Sequence, residues 1–221
     1  MDILIPYRTS NTDELRYALR SIAKHIPKAR VFIVGDTPDH LSNIYAIQAS
    51  DRARTPHSDV YTNINLAIND ERLSDDFVLW ADDMFITDTF KGIPAWHDDD
   101  IDVIAKKKPE PYKTTLLNTD KLLKANGISN PVSYALHIPM VINKTNLRHV
   151  YSLMATTKNV VSMRTLYGNL YLDTSAYHRD VKIYDKTSDL PKPFASTWEN
   201  VLGVAYKQLQ DMYPEKCEYE K

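Results

Sequence analysis

The sequence predicts an α/β fold, with a mostly parallel central sheet, flanking helices and a helical C-terminal part. Three observations carry this expectation. Short apolar runs of strand length recur at Ile3–Ile5, Ala29–Val34 and Phe77–Trp80. Between the first two, Leu15, Leu19, Ile22 and Ile26 recur at helical spacing, which makes a β-α-β unit of about thirty residues and implies a parallel pair. The second half carries further helical patterns, over 144–154, 163–172 and 198–212.

Each element has its own signal. Pro6 ends the first apolar run. Ser10 and Thr12 are N-cap residues for the first helix, followed by the acidic Asp13 and Glu14, and Pro27 closes it. Gly35-Asp36 ends the second strand. Residues 41–49 read as a helix, and Asn63–Asn69 as a helix start. The third run continues through Asp82-Asp83 into Met84-Phe85-Ile86. Residues 97–113 are polar and contain prolines, so they read as an exposed loop holding a short strand at Val103–Ile104. A helix from Thr119 to Asn126 ends at Gly127, and Val181–Tyr184 reads as a late strand. In an open sheet of this kind, ligands bind beyond the carboxyl ends of the strands.

Composition narrows the function. The chain has 221 residues, 43% apolar and 25% charged, in the range of an ordinary globular protein. It has five glycines and no glycine-rich phosphate loop, so a phosphate-handling site here needs a metal or basic side chains. The net charge of −2 argues against a broadly basic surface. Cys217 is the only cysteine, which excludes an intrachain disulfide and a thiolate metal cluster. No apolar run approaches ~18 residues, so no membrane span is expected. The opening MDILIPYR reads as a core strand rather than a secretory signal, and the expected compartment is the cytoplasm.

The segment FVLWADDMFI sets two adjacent carboxylates, Asp82 and Asp83, inside apolar sequence. Burying unpaired carboxylates is costly, and side by side they repel. A hard divalent cation, Mn²⁺ or Mg²⁺, relieves both problems and leaves positions for phosphate oxygens. The competing reading is a solvated turn whose aspartates cap backbone N–H groups. Asp98, Asp99 and Asp100 sit in polar surroundings and read as solvated surface.

Other positions have paired readings. Pro6, Tyr7 and Arg8 follow the first strand and Asp36 the second. Arg8 suits phosphate and Tyr7 a base, against an ordinary salt bridge and a packed aromatic. His137 is a candidate acid or base, against a structural histidine. Arg20 and Arg164 lie in predicted helices and suit a phosphate, against surface ion pairs. The basic stretch 106–113 suits an anionic acceptor such as DNA, against a solvated loop.

Several segments together resemble the Stealth family of hexose-1-phosphate transferases. ELRYALRSI, ARVFIVGDTPDHL, residues 63–68 and FVLWADDMFI resemble its second conserved region. LHIPMVINKTNL resembles the next region, SMRTLYGNLY the arginine-bearing helix after it, and FASTWEN the closing region. The resemblance spans about residues 2–200 and implies a Rossmann-like GT-A core. It implies that Asp82 and Asp83 bind the metal, that His137 is the active-site histidine, that Arg164 faces the phosphate, and that Glu199 matches a closing-region position. The family opens on a tyrosine-tryptophan-valine-[Asp/Asn]-glycine motif where this chain has LIPYRTS. The compact length also resembles small phage glycosyltransferases, some of which decorate modified viral DNA.

The functional expectation is therefore a metal-dependent glycosyltransferase. It takes a nucleotide-sugar donor and an acceptor hydroxyl on a polysaccharide or on modified DNA. Asp82 and Asp83 hold the ion, Asp83, His137 and Arg164 serve catalysis, and Pro6, Tyr7, Arg8, Arg20, Asp36, Asn63 and Asn65 bind the donor. Residues 1–115 form the nucleotide-sugar half of a single domain and 116–221 the acceptor half. The alternatives are Stealth-type sugar-phosphate transfer and a non-catalytic nucleotide or nucleic-acid binding module.

Overall fold

The computed structural model describes residues 1–9, 13–49, 56–172, 175–198 and 203–221. In chain order its elements are β1 (Asp2–Tyr7), α1 (Glu14–His25), β2 (Arg30–Gly35), β3 (Tyr45–Gln48), α2 (Pro56–Ala67), β4 (Asp76–Leu79), β5 (Met84–Ile86), β6 (Trp96–His97) and α3 (Ile101–Lys106). There follow α4 (Tyr112–Ala125), β7 (Met140–Asn143), α5 (Lys144–Ala155), α6 (Met163–Tyr171), β8 (Ala176–Tyr177), β9 (Lys182–Ile183), β10 (Phe194–Thr197) and α7 (Val204–Met212). The result is the expected α/β architecture with a mostly parallel central sheet. The chain forms two compact units, Met1–Ile93 with His137–Ile142 and Val181–Lys221, and Pro94–Leu136 with Asn143–Asp180. The contacts therefore do not divide at residue 115, because the chain crosses between the units more than once.

In the first unit the central sheet has the order β3-β2-β1-β4-β7. The pairs β1/β2, β2/β3 and β1/β4 are parallel. Ile3, Leu4, Ile5, Val31, Phe32, Ile33 and Val34 are fully buried, so these strands read as continuous apolar runs rather than alternating ones. Pro6 lies inside β1, opposite Val34, instead of ending it. A second sheet has the order β5-β10-β9. Packed together beside it are Tyr17 and Ala18 of α1, Phe85 of β5, Ala195 of β10, and Leu209 and Tyr213 from α7 onward.

Several expected elements differ. Residues 41–49 hold a strand, not a helix. Asn43 takes a left-handed φ of 51°, which interrupts helical geometry, and Tyr45 then stacks on Phe32 across the sheet. Helix α2 begins at Pro56, so Asn63–Asn69 covers its end rather than its start. The polar 97–113 stretch contains α3, so Val103 and Ile104 are helical rather than a short strand, and Ile101, Ile104 and Ala105 are buried at helical spacing. Helix α4 begins seven residues before Thr119, and Glu110 supports its first turn by accepting from the Thr114 amide at 3.2 Å and its hydroxyl at 2.5 Å. Trp198 is not helical: it extends from β10, and its amide donates to the Ile183 carbonyl at 2.9 Å. Ser10, Thr12, Glu199, Val201 and Leu202 lie outside the described residues.

In the second unit, α3 packs on α4, α5 on α6, and α4 on α6, while β6 pairs with β8. The side chain of Asn143 caps α5 by accepting from the Thr145 and Asn146 amides, and Ser162 caps α6. Gly168 of α6 faces the Tyr134 ring, where an added Cβ would fall 2.2 Å from ring carbon. No helix among the described residues is long and apolar enough to cross a membrane.

The C-terminal segment closes the first unit. Tyr219 is buried and its hydroxyl donates to the Ala29 carbonyl at 2.8 Å. Arg20 forks onto Glu220 at 2.8 and 2.9 Å and also donates to the Tyr213 and Pro214 carbonyls. Burial alone would push the Glu220 carboxyl up. Hydrogen bonds from Arg20 and from the Cys217 amide outweigh that and hold it below its ordinary value. A lowered carboxyl contributes stability that is present above the unfolded-state pKa and lost as pH falls through the folded one. Glu220→Gln is therefore expected to lower stability by about 2 kcal/mol at pH 7. In urea titrations the difference from wild type should shrink toward zero near pH 3.

Candidate active site at the carboxyl ends of the strands

The site is built around a turn. Strand β4 ends at Leu79, and Trp80 anchors the next step. It is buried, its amide donates to the Leu4 carbonyl at 2.9 Å, and its indole N–H donates to the Met84 carbonyl at 2.9 Å. The Met84 amide closes a turn on the Ala81 carbonyl at 3.2 Å. Asp82 and Asp83 are the two central residues of that turn. The turn expectation is met in part: the pair forms a turn, but a half-buried one just beyond the carboxyl end of β4.

The register of the second sheet explains what surrounds them. Ser196 of β10 pairs with Met84 on one side and Lys182 of β9 on the other. Side chains of neighbouring paired residues share a face, so Lys182 and Ser196 converge. The Lys182 ammonium reaches Asp83 Oδ2 at 2.8 Å and the Ser196 hydroxyl donates to the same oxygen at 2.9 Å. The next residue, Thr197, points the other way and donates to Glu14 Oε1 at 2.7 Å. Glu14 is a buried carboxylate in the first turn of α1.

Asp82 is the under-compensated member. Dehydration first, then the charges of Asp83 and Glu14, push its carboxyl up to about 7, and its own backbone amide and Lys182 offset this only in part. Among the described residues, the Asp82, Asp83 and Glu14 carboxyls share the neighbourhood with the Lys182 ammonium. Among the described residues no group of three or more His, Cys, Asp or Glu side chains forms a ready-made metal cage. A cation here would need oxygens from a ligand as well as from the aspartates.

The donor-side candidates divide. Tyr7 pairs with Gly35 at the ends of β1 and β2, the Asp36 amide donates to the Tyr7 carbonyl at 3.0 Å, and the Thr9 amide donates to Asp36 Oδ2 at 2.8 Å. Gly35 has φ +112°, and a Cβ there would sit 2.3 Å from the Tyr7 carbonyl and 3.0 Å from the Asn63 side-chain nitrogen. Glycine is required at this crossing, and it brings Tyr7, Asp36 and Asn63 together, with Pro6 and the exposed Arg8 alongside in the chain. Asn65 does not join them. It is exposed, and two residues along a helix face different ways. Arg20 does not join them either, because its guanidinium is engaged by Glu220 and two carbonyls of the C-terminal segment.

His137 is half-buried in the first unit, three residues before β7. Arg164 lies in α6 of the second unit, with its Nε buried. Asp99 and Asp98 serve locally: Lys107 pairs with Asp99 at 3.4 Å, and Asp98 Oδ1 accepts from the Asp99 amide.

Residue-by-residue reading missed Lys182, Ser196, Glu14 and Thr197. Lys182 carried the signal that selected Asp82 and Asp83, a charge inside an apolar run between Val181 and Ile183. The other three carry no comparable mark, since only strand register and the seating of α1 bring them in.

No protein-family model matches the chain, and no curated protein matches it in sequence. Solved structures do resemble it. A galactosyltransferase, LgtC, in complex with donor and acceptor sugar analogues is 12% identical, with a TM-score of 0.55, covering 98% of this chain and 96% of that one. An active-site mutant of LgtC is 13% identical, with a TM-score of 0.54, covering 96% and 95%. The chain therefore has a GT-A-like glycosyltransferase fold along nearly its whole length.

A raised carboxyl contributes stability that is full below the unfolded-state pKa near 4 and is lost as pH rises through about 7. In metal-free buffer, Asp82→Asn is expected to stabilise the protein by about 2 kcal/mol at pH 8. Little difference from wild type should remain near pH 4, as read by thermal melts across pH.

Proposed function

We propose that the protein is a metal-dependent glycosyltransferase that moves a sugar from a nucleotide-sugar donor to an acceptor hydroxyl. The observation that carries this reading is the Asp82–Asp83 turn, half-buried and short of positive charge, at the carboxyl end of β4 beside β1. The likeness in fold to a galactosyltransferase supports it.

The residues fit a divalent ion, Mn²⁺ or Mg²⁺. Asp82 and the second oxygen of Asp83 supply hard ligands in a region already over-supplied with negative charge. When bound, such an ion screens the donor's diphosphate and the charge that grows there as it leaves. Lys182 and Ser196 hold Asp83 in one orientation, so its free oxygen presents a fixed ligand rather than a mobile one. Arg8, Asp36 and Asn63 receive the base and ribose, with Asp36 accepting from ribose hydroxyls, while the Tyr7 side chain is buried at the end of β1. His137 takes the acceptor proton or orients the acceptor. The acceptor is a polysaccharide or a modified DNA base, met in the cytoplasm.

The second reading is sugar-phosphate transfer, favoured by the ordered segments that resemble Stealth proteins. The two differ in what leaves. Glycosyl transfer releases a nucleoside diphosphate, and sugar-phosphate transfer a nucleoside monophosphate. Mass spectrometry of the nucleotide released from a panel of nucleotide-sugars is expected to find the diphosphate. Finding the monophosphate would establish the second reading, and finding neither with any donor or metal would remove both. Asp83→Asn should lower turnover at least about a hundredfold. It is a cleaner probe than alanine, because the amide oxygen can still accept from Lys182 and Ser196, whereas alanine leaves both donors without that acceptor.

A further inference from the structure

Beside the acidic turn lies a pair of aromatic rings that no step above uses. Trp198 and Tyr184 are 55% and 58% exposed, although large rings favour burial. Their centroids are 5.9 Å apart with the planes tilted by 35°. The strand alternation accounts for their position. Lys182 and Tyr184 are two residues apart on and just beyond β9, and Ser196 and Trp198 are two apart on and just beyond β10. Residues two apart along extended chain share a face. The four side chains therefore lie on one face, the one that meets Asp83. Lys182 links the two features directly: its ammonium is 2.8 Å from Asp83 Oδ2 and 5.3 Å from the centre of the Trp198 ring. With only 10% of its side chain exposed, Lys182 holds the Trp198 ring by a cation–π contact rather than leaving it to swing freely.

We propose that Trp198 and Tyr184 form a stacking platform for a hexopyranose ring, deepening the glycosyltransferase reading on which this inference rests. A pyranose presents an apolar face of C–H groups and an edge of hydroxyls. The platform offers it the exposed surfaces of two aromatic rings. The strand order separates this site from the proposed base pocket. Tyr7, Asp36 and Asn63 lie at the ends of β1 and β2, and the Asp82–Asp83 turn follows β4 on the other side of β1. A base bound among the first group and a diphosphate at the turn leave the β9–β10 side for sugar. The ring is that of the acceptor or of the donor's own sugar, and the two share the same recognition chemistry.

The test uses the full chain and its Trp198→Ala, Tyr184→Ala and Trp198→Phe variants. Saturation-transfer NMR and titration are run with a panel of methyl hexopyranosides, with nucleotide-sugars, and with the matching free nucleoside diphosphates. The expected result is that Trp198→Ala and Tyr184→Ala each weaken saccharide binding about tenfold, that Trp198→Phe restores most of it, and that free nucleoside diphosphates bind unchanged. Loss confined to methyl hexosides assigns the platform to the acceptor, and loss confined to nucleotide-sugars assigns it to the donor sugar. Equal weakening of the free nucleoside diphosphates would make the pair a base-stacking site and overturn the proposal. Hexopyranoside and nucleotide-sugar binding that is absent from wild type, or indifferent to both alanine variants, would overturn it as well. A wild type that binds hexopyranosides through Trp198 but no nucleotide-sugar would keep the platform and remove the transferase reading.

Discussion

The site depends on an electrostatic shortfall. Where β4 gives way to a tight turn, two adjacent aspartates and the first-turn glutamate of α1 are set in partly dehydrated surroundings with the Lys182 ammonium among them. In low-polarity surroundings such an excess is not neutral: either a carboxyl keeps its proton to about pH 7 or a cation comes in. The anchoring of Trp80 to Leu4 and Met84 prevents the turn from swinging out to relieve the strain by hydration. The register of β10 between β5 and β9 fixes which aspartate is paired and which is left over.

Much of this was legible in the amino-acid sequence, for identifiable reasons. Strands β1, β2 and β4 are buried on both faces, so they show as unbroken apolar runs. The Asp82–Asp83 pair stood out because charge interrupted such a run. What the sequence hid lies where local pattern and context disagree. YAIQ carries too few residues to distinguish a strand from a helix, and only the left-handed turn at Asn43 and the pairing with β2 decide it. Helix α3 was concealed by flanking lysines and prolines, although Ile101, Ile104 and Ala105 do carry its period. Arg20 had the composition of a phosphate ligand, but its real partner is Glu220, two hundred residues away in the chain. Trp198 reads as the start of a helix because of the pattern after it, whereas it continues just beyond β10, its amide bonded to the Ile183 carbonyl.

The GT-A-like fold sets the turn after β4 beside the end of β1, and a fold by itself does not fix function. Two local features stand on this fold: a carboxylate pair whose one member is clamped by Lys182 and Ser196, and an aromatic pair on the same face. Lys182 belongs to both, so the charge balance of the turn and the posture of the Trp198 ring are coupled through one side chain. A ligand that changed the pairing of Asp83 would therefore be felt at the aromatic rings.

The central claim is that the turn's carboxylates take up a divalent cation together with a phosphate ligand. Electron paramagnetic resonance of free Mn²⁺ measures this most directly, in titrations of wild type and the Asp82→Asn/Asp83→Asn double variant with and without a nucleoside diphosphate. The account predicts that wild type removes Mn²⁺ from solution when the diphosphate is present and that the double variant does not. Mn²⁺ uptake that is the same in both proteins would contradict it.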